Sequence, residues 1–200
     1  MLHRIYCLPI EDTVLIALFV CLAWTLTGGV LWSRAPWGRR LWRAGCGVLA
    51  AVWLCVVLYT TLLSRAPGVY EAHLVPLFQL RQALFCGKRE LLRSAWMNVL
   101  LFIPGGLTVP ELLPLGWTPR RRVWLGLLTL GLLSVGIELL QFHWSLGQAE
   151  TDDCLANTLG ATLGLMVFRL RMWTAACESH KNAGPVSYTH LRAHETRHDL

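Results

Sequence analysis

The sequence predicts an all-α fold, a polytopic transmembrane helical bundle of about five spans. Hydrophobic residues make up 54% of the chain and charged residues only 15%, whereas soluble domains carry about 25% charged residues. Several stretches of about 20 residues are nearly free of charge, which is the length that a helix needs to cross a bilayer. Compact arginine clusters separate some of these stretches, a distribution typical of membrane proteins.

Five apolar stretches predict the spans and together define one membrane domain over residues 1–176. The predicted spans cover residues 13–32, 44–63, 95–113, 123–144 and 154–173. The first stretch is too long for the apolar region of a signal peptide and has no basic segment directly before it, so we expect it to be retained. Tryptophans such as Trp32 and Trp144 lie at predicted boundaries, where an aromatic belt forms.

The arginines predict the orientation of the bundle. Residues 34–43 and residues 120–122 form compact basic clusters, which belong in the cytoplasm by the positive-inside rule. This placement puts the N-terminus and the acidic segment before the fifth span outside, and the C-terminus inside. Basic residues in the connector at 64–94 argue against it, but the compact clusters still favour N-out, C-in. The same clusters explain the net charge of +6, and no nucleic-acid-binding motif accompanies them.

The connector at 64–94 carries leucines at roughly helical spacing among basic residues, at Leu77, Leu80, Leu84 and Leu91. The pattern fits an amphipathic helix in the membrane interface, broken at Gly87. An ordinary loop that contains some leucines fits the same residues equally well.

Polar residues near the predicted outer leaflet are the candidate site. Glu138 lies inside the fourth span, where a carboxylate costs about 2.5–3.5 kcal/mol and needs a partner or a wet cavity. Gln141 follows three residues later on the same helix face, and Asp153 and Asn157 share a face at the start of the fifth span. Asn98 opens the third span at the same level. The predicted polar cluster is therefore Asn98, Glu138, Gln141, Asp153 and Asn157.

Two interpretations of these polar residues stay open. They can bond one another and hold the helices together, or they can form a functional site. Glu138 and Asp153 suit an acid–base pair or a metal site. No nucleophile is identified, so we assign no catalytic residues. Whether the protein is an enzyme stays open, and the missing nucleophile argues against it. The seven cysteines show no C-x-x-C spacing, and we expect neither a metal nor another cofactor.

Small residues and one proline predict close helix packing. Gly160 and Gly164 form a G-x-x-x-G pattern in the fifth span, which lets another helix approach closely. Pro104 interrupts the third span, where it frees a backbone carbonyl and is expected to kink the helix.

Four stretches match motifs of a known family. They are HLVPLFQL at 73–80, NVLLFIPGGL at 98–107, IELLQ at 137–141 and DDCLANTLGATLG at 152–164. Together they resemble the VanZ-like family of bacterial integral membrane proteins. The chain departs from the family pattern in three ways. The family often has phenylalanine at the place of Leu77 and aspartate at the place of Glu150, and it tends to carry an arginine in the loop before the acidic segment, which is SLGQAE in this chain. The resemblance makes the following residues family-pattern positions: Asn98, Phe102, Pro104, Gly106, Glu138, Gln141, Asp153, Asn157, Gly160 and Gly164.

The resemblance implies a multi-pass protein of the bacterial cytoplasmic membrane, associated with low-level resistance to the glycopeptide teicoplanin and with no established reaction. Together with the predicted polar cluster, it favours a protein that binds or modulates a lipid precursor of the cell envelope, or the glycopeptide, at the outer leaflet. One alternative is an intramembrane enzyme that uses Glu138 and Asp153 on a lipid-linked substrate. Another is a transporter or structural partner subunit, although a transporter fold normally carries an inverted repeat that is not evident here. The implied partner is the lipid bilayer, and the oligomeric state stays open.

The tail contains HETRH at 194–198, which matches the H-E-x-x-H pattern of zinc proteases. With His190 before them, His194 and His198 form a helical stripe of histidines, but His198 lies two residues from the end of the sequence. The stretch SYTHLRAHET resembles a string produced when sequencing-adapter DNA is translated. We therefore expect residues 177–185 to be a short tail and residues 186–200 to be non-native, and we interpret the zinc motif as spurious.

Overall fold

Helices make up almost all of the architecture. The computed structural model describes residues 10–31, 36–65, 72–73, 75–87, 89–146 and 149–182. The helices are α1 (Ile10–Leu31), α2 (Pro36–Leu58) with a π-helical continuation (Tyr59–Leu63), α3 (Phe78–Phe85), α4 (Arg89–Leu112), α5 (Pro119–His143) and α6 (Thr151–Asn182). Two very short strands, β1 (Ala72–His73) and β2 (Ala149–Glu150), pair in parallel. The predicted all-α class is confirmed.

The five long helices overlap the five predicted spans. Three stretches are long and apolar enough to cross a membrane by length and composition, namely Trp37–Leu63, Glu90–Leu112 and Pro119–His143. α1 contributes a shorter apolar stretch, Leu15–Thr27. α6 is less apolar because asparagine, threonine and glycine residues interrupt its hydrophobic side chains. Large side chains such as Leu132 and Met166 are exposed on the outer faces, as expected of a membrane protein whose outer faces contact lipid.

The connector contains a helix, and its end agrees with the predicted break. α3 ends at Phe85, and Gly87 follows with a φ of 66°, a left-handed conformation that glycine adopts without strain. α6 continues to Asn182, beyond the predicted end of the fifth span. The HETRH motif, His190 and the predicted non-native tail at 186–200 lie outside the described residues.

α4 and α6 run parallel and touch backbone to backbone. A Cβ atom on Gly160 would lie 2.0 Å from the Val99 carbonyl oxygen, and one on Gly164 would lie 2.3 Å from the Ile103 carbonyl oxygen. Gly106 provides the matching surface on α4, where a Cβ atom would lie 2.2 Å from the Ala161 carbonyl oxygen. Small residues on both helices therefore set the distance between them.

The bend-prone part of α4 packs against α2 in the core. Pro104 has no amide N–H, so the helix loses one of its own hydrogen bonds at this point. The freed acceptor is the Leu100 carbonyl, and the indole Nε1 of Trp53 donates to the neighbouring Leu101 carbonyl at 2.6 Å. The Trp53 ring also meets Phe102 edge to face, with centroids 5.8 Å apart.

A buried ionic network, the arginine clamp, joins the helices at one end of the bundle and consists of Arg43, Glu111, Arg122 and Arg171. Glu111 is only 2% exposed and lies near the C-terminus of α4. Arg122 of α5 donates to the Glu111 carboxylate at 3.2 Å and to the Pro110 carbonyl at 2.8 Å. Arg171 of α6 forms an ion pair with the other carboxylate oxygen of Glu111. One carboxylate thus holds three helices together.

The clamp also reaches α1 and α2. Arg171 donates to the Thr25 carbonyl of α1 at 3.2 Å and lies over the Trp42 ring of α2, 4.3 Å from its centroid. Arg43 of α2 donates to the final carbonyls of α4, those of residues 111, 112 and 113, at 3.0, 3.0 and 3.2 Å. In the sequence, Arg43 and Arg122 belong to the basic clusters that predict the orientation of the bundle. The structure shows that they also have a packing role.

The close contact between α4 and α6 predicts that Gly160→Ala destabilises the protein. The new methyl group collides with the backbone of α4 rather than with a flexible side chain, so the helices must separate. We expect the free energy of unfolding to fall by about 1–3 kcal/mol, measured by thermal unfolding of the detergent-solubilised protein with circular dichroism. Gly131→Ala is the matched control, because a Cβ atom there has nothing within 4 Å. Equal midpoints for the two variants would contradict the packing assignment.

The arginine clamp predicts a larger effect for Glu111→Gln. Removing the carboxylate leaves Arg122 and Arg171 without their buried anion, and we expect a loss of about 3–5 kcal/mol in unfolding free energy. Glu90→Gln, on the exposed first turn of the same helix, is expected to change stability by less than about 1 kcal/mol. The same unfolding measurement compares the two, and a clamp variant as stable as the control would show that Glu111 does not hold the helices.

Candidate functional site

The end of the bundle opposite the arginine clamp gathers polar side chains from several helices. α5 runs antiparallel to α4 and α6, so the end of α5 meets the beginnings of the other two. We name four residues there the carboxylate cluster: Arg65, Asn98, Glu138 and Asp153. Glu138 is 8% exposed and Asp153 is 6% exposed, so both carboxyl groups are withdrawn from the surface of the bundle.

Glu138 is tied to the segment that precedes α6. Its Oε2 atom accepts a hydrogen bond from the backbone N–H of Glu150 at 3.0 Å. Glu150 belongs to β2, and its register partner in β1 is His73. The two short strands thereby connect the segment before α3 to the segment before α6, and both are fixed beside the Glu138 carboxylate.

Asp153 and Asn98 form a polar pair between two helices. Asp153 lies in the first turn of α6, where the helix N-terminus favours an anion. The Asn98 side chain of α4 hydrogen-bonds to the Asp153 carboxyl group. The pair therefore links α4 to α6 at this end of the bundle.

Arg65 supplies the positive charge of the cluster. It follows the π-helical segment at the end of α2, and its guanidinium is close enough to Glu138 and Asp153 to act on both electrostatically. Two carboxyl groups and one guanidinium give the cluster a net charge of −1 when all three are ionised. An arrangement of this kind can accept hydrogen bonds from hydroxyl or amino groups and can also contact an anionic group through Arg65.

Gln141 and Asn157 flank the cluster and bind other partners. The Nε2 atom of Gln141 donates to the Thr61 carbonyl at 2.9 Å, within the π-helical segment. The Nδ2 atom of Asn157 donates to the Ser134 hydroxyl at 2.9 Å. These two bonds join α5 to α2 and α5 to α6, so each amide contributes to helix association.

An apolar groove opens between α4 and α6 next to the cluster. Its volume is about 240 Å³, and Asp152, which accepts a hydrogen bond from the Leu77 N–H, is at its edge. Asn98 and Asp153 do not line the groove, but their sequence neighbours Val99 and Asp152 do. The groove is lined by Leu77, Leu92, Ala95, Trp96, Val99, Asp152, Leu155, Ala156 and Leu159.

The structure places all five residues of the predicted polar cluster at this end of the bundle. Ser134 and Thr61 were not anticipated as partners. Ser134 could have been found, because it lies four residues before Glu138 on the same face of α5. The Thr61 carbonyl gave no sequence signal, because a backbone acceptor is common to every residue type. Among the residues described, no group of three histidine, cysteine, aspartate or glutamate side chains could hold a metal ion.

Comparison with known proteins places this architecture in a family. The family model described as VanZ/LLP1 matches residues 47–172, which include the whole carboxylate cluster and the glycine contacts between α4 and α6. No curated protein matches the chain significantly, and no solved structure does. Since the model covers more than half of the sequence and agrees with the resemblance found in the four motif stretches, the chain belongs to the VanZ/LLP1 family.

Proposed function

We propose that the protein binds a lipid-linked precursor of the bacterial cell envelope, with its polar headgroup at the carboxylate cluster and its hydrocarbon chain in the apolar groove. The observation that carries this proposal is that Val99 and Asp152, which line the apolar groove, are the sequence neighbours of Asn98 and Asp153 in the carboxylate cluster. A ligand with one polar and one apolar part satisfies both features at once.

The chemistry of the cluster suits such a headgroup. Sugar hydroxyl and amino groups donate to carboxylates, and Glu138 and Asp153 supply two of them. Phosphate groups bind guanidinium, and Arg65 acts electrostatically on both carboxylates. The Asn98 amide can donate on the same side. A headgroup that combines sugar and phosphate would therefore find a partner for each of its polar groups.

The apolar groove suits the hydrocarbon part. Its α4 wall presents side chains at helical spacing, at Leu92, Trp96 and Val99, and Leu155 and Leu159 of α6 face them. The exposed Trp96 and Leu159 at its rim indicate that the groove is open to the surrounding lipid. A lipid can thus enter laterally, without first leaving the bilayer.

The membrane orientation completes the proposal. With the two compact arginine clusters in the cytoplasm, the carboxylate cluster faces the outer leaflet of the bacterial cytoplasmic membrane. Envelope precursors and glycopeptide antibiotics are both encountered there, so binding the precursor would change how the cell responds to the antibiotic.

The proposed site predicts that Asp153→Asn weakens binding of the lipid-linked cell-wall precursor by about tenfold to a hundredfold, because it removes a charged acceptor from a buried hydrogen bond. The purified full-length protein would be titrated with the lipid in nanodiscs, with the bound fraction read by native mass spectrometry. Glu90→Gln is the charge-matched control on an exposed turn and should bind normally. Unchanged affinity in the Asp153 variant would leave the cluster with a structural role only.

Blocking the groove should separate binding of the hydrocarbon chain from binding of the headgroup. Ala95→Phe fills the groove and leaves the carboxylate cluster intact, so we expect weaker binding of the full lipid and unchanged binding of a water-soluble headgroup analogue. Leu132→Phe, on an exposed outer face, is the matched control. If a new lipid product forms on incubation and Glu138→Gln abolishes it, the protein is an enzyme rather than a binder.

In cells, we expect a sensitive bacterial host that expresses the protein to tolerate more teicoplanin than the host alone. The Glu138→Gln/Asp153→Asn double variant should lose this tolerance at equal protein level, and the 1–183 truncation should keep it because the tail is not part of the site. Susceptibility assays measure both. Full tolerance in the double variant would contradict a role for the carboxylate cluster.

A further inference from the structure

A second groove lies at the arginine-clamp end, between the N-terminus of α5 and the stretch of α6 from Met166 to Ala176. Its volume is about 580 Å³. Thr118, the N-cap residue of α5, and Arg120 line one side, and Arg169 lines the other. This groove is separate from the carboxylate cluster and is independent of the proposed function.

The groove is built to attract negative charge. Among the described residues, neither Arg120 nor Arg169 forms a hydrogen bond or an ion pair through its side chain, and none of the residues that line the groove is acidic. α5 begins at the same place, and the first N–H groups of a helix of 25 residues add positive potential there. Two unpaired guanidinium groups and a helix N-terminus therefore face one open space.

The other wall of the groove is hydrophobic and exposed. Met166, Leu170 and Trp173 line it, and their side chains are 61%, 59% and 64% exposed. Trp173 stands at the predicted end of the fifth span, and the arginines at 120–122 directly precede the fourth. The groove thus lies at the depth where lipid phosphates meet acyl chains. A soluble anion would use the arginines but would leave this apolar wall bare.

We infer that this groove is a binding site for an anionic phospholipid of the inner leaflet. The lipid phosphate contacts Arg120, Arg169 and the N-terminus of α5, and an acyl chain lies along Met166 and Leu170. Because the groove bridges α5 and α6 beside the arginine clamp, the bound lipid braces the same pair of helices that Glu111 joins.

The test uses the full-length protein in detergent and compares lipids with identical acyl chains. Phosphatidylglycerol is expected to raise the thermal unfolding midpoint in a saturable manner, and phosphatidylcholine is not. Arg120→Ala/Arg169→Ala should weaken the phosphatidylglycerol effect roughly 30-fold in apparent affinity, since each arginine near a membrane surface contributes about a fivefold attraction.

The matched control is Arg39→Ala/Arg40→Ala, which removes two exposed arginines of α2 at the same end of the bundle but outside the groove. This variant should respond to phosphatidylglycerol as the unaltered protein does. An equal loss in both double variants would reduce the effect to general surface attraction and overturn the site. Stabilisation by inorganic phosphate alone, at the affinity of the lipid, would overturn the assignment to a lipid.

Discussion

The contact between the backbones of α4 and α6 is the constraint on which the rest of the structure depends. Glycines at three positions let the helices meet without intervening side chains, so their residues keep a fixed relation along the whole length of the pair. At one end this relation places Asn98 beside Asp153. At the other end it places Glu111 beside Arg171. The carboxylate cluster and the arginine clamp are therefore two consequences of one packing arrangement.

The two ends of the bundle differ in charge and in accessibility. The clamp uses its charges internally, because Glu111 is shared between two arginines and the remaining donors bind backbone carbonyls. The carboxylate cluster combines two carboxyl groups, one guanidinium and the Asn98 amide, which hydrogen-bonds to Asp153. Polar groups in a membrane bundle can serve helix association or ligand binding. The ligand-binding role proposed for this end would stand beside the association role of Gln141 and Asn157. The packing of α4 against α6 positions the residues of both the arginine clamp and the carboxylate cluster.

The helices and the faces of the candidate site could be predicted from the sequence, and the clamp could not. Apolar stretches of the right length indicated five helices, and helical spacing put Glu138 with Gln141 and Asp153 with Asn157. Glu111 stood at the end of a predicted span, where a carboxylate usually faces water, and the arginines fitted the positive-inside rule. The burial of Glu111 and these arginines depends on contacts among five helices. Pairing between residues so far apart in the chain leaves no local pattern in the sequence. Arg65 lies in the connector after the second predicted span, and its electrostatic contact with both carboxylates depends on the backbone of the preceding turn.

That turn is π-helical, and its width sets the direction in which Arg65 leaves α2. The Ser64 N–H donates to the Tyr59 carbonyl at 2.8 Å, five residues back, so this segment holds one more residue than an α-helix would over the same turn. Each residue of an α-helix rotates the chain by about 100°. If the same residues were wound as an α-helix, Arg65 would come further round the helix axis, and its guanidinium would turn away from Glu138 and Asp153. The hydrogen-bond pattern of this one turn therefore decides which way the cation of the cluster faces.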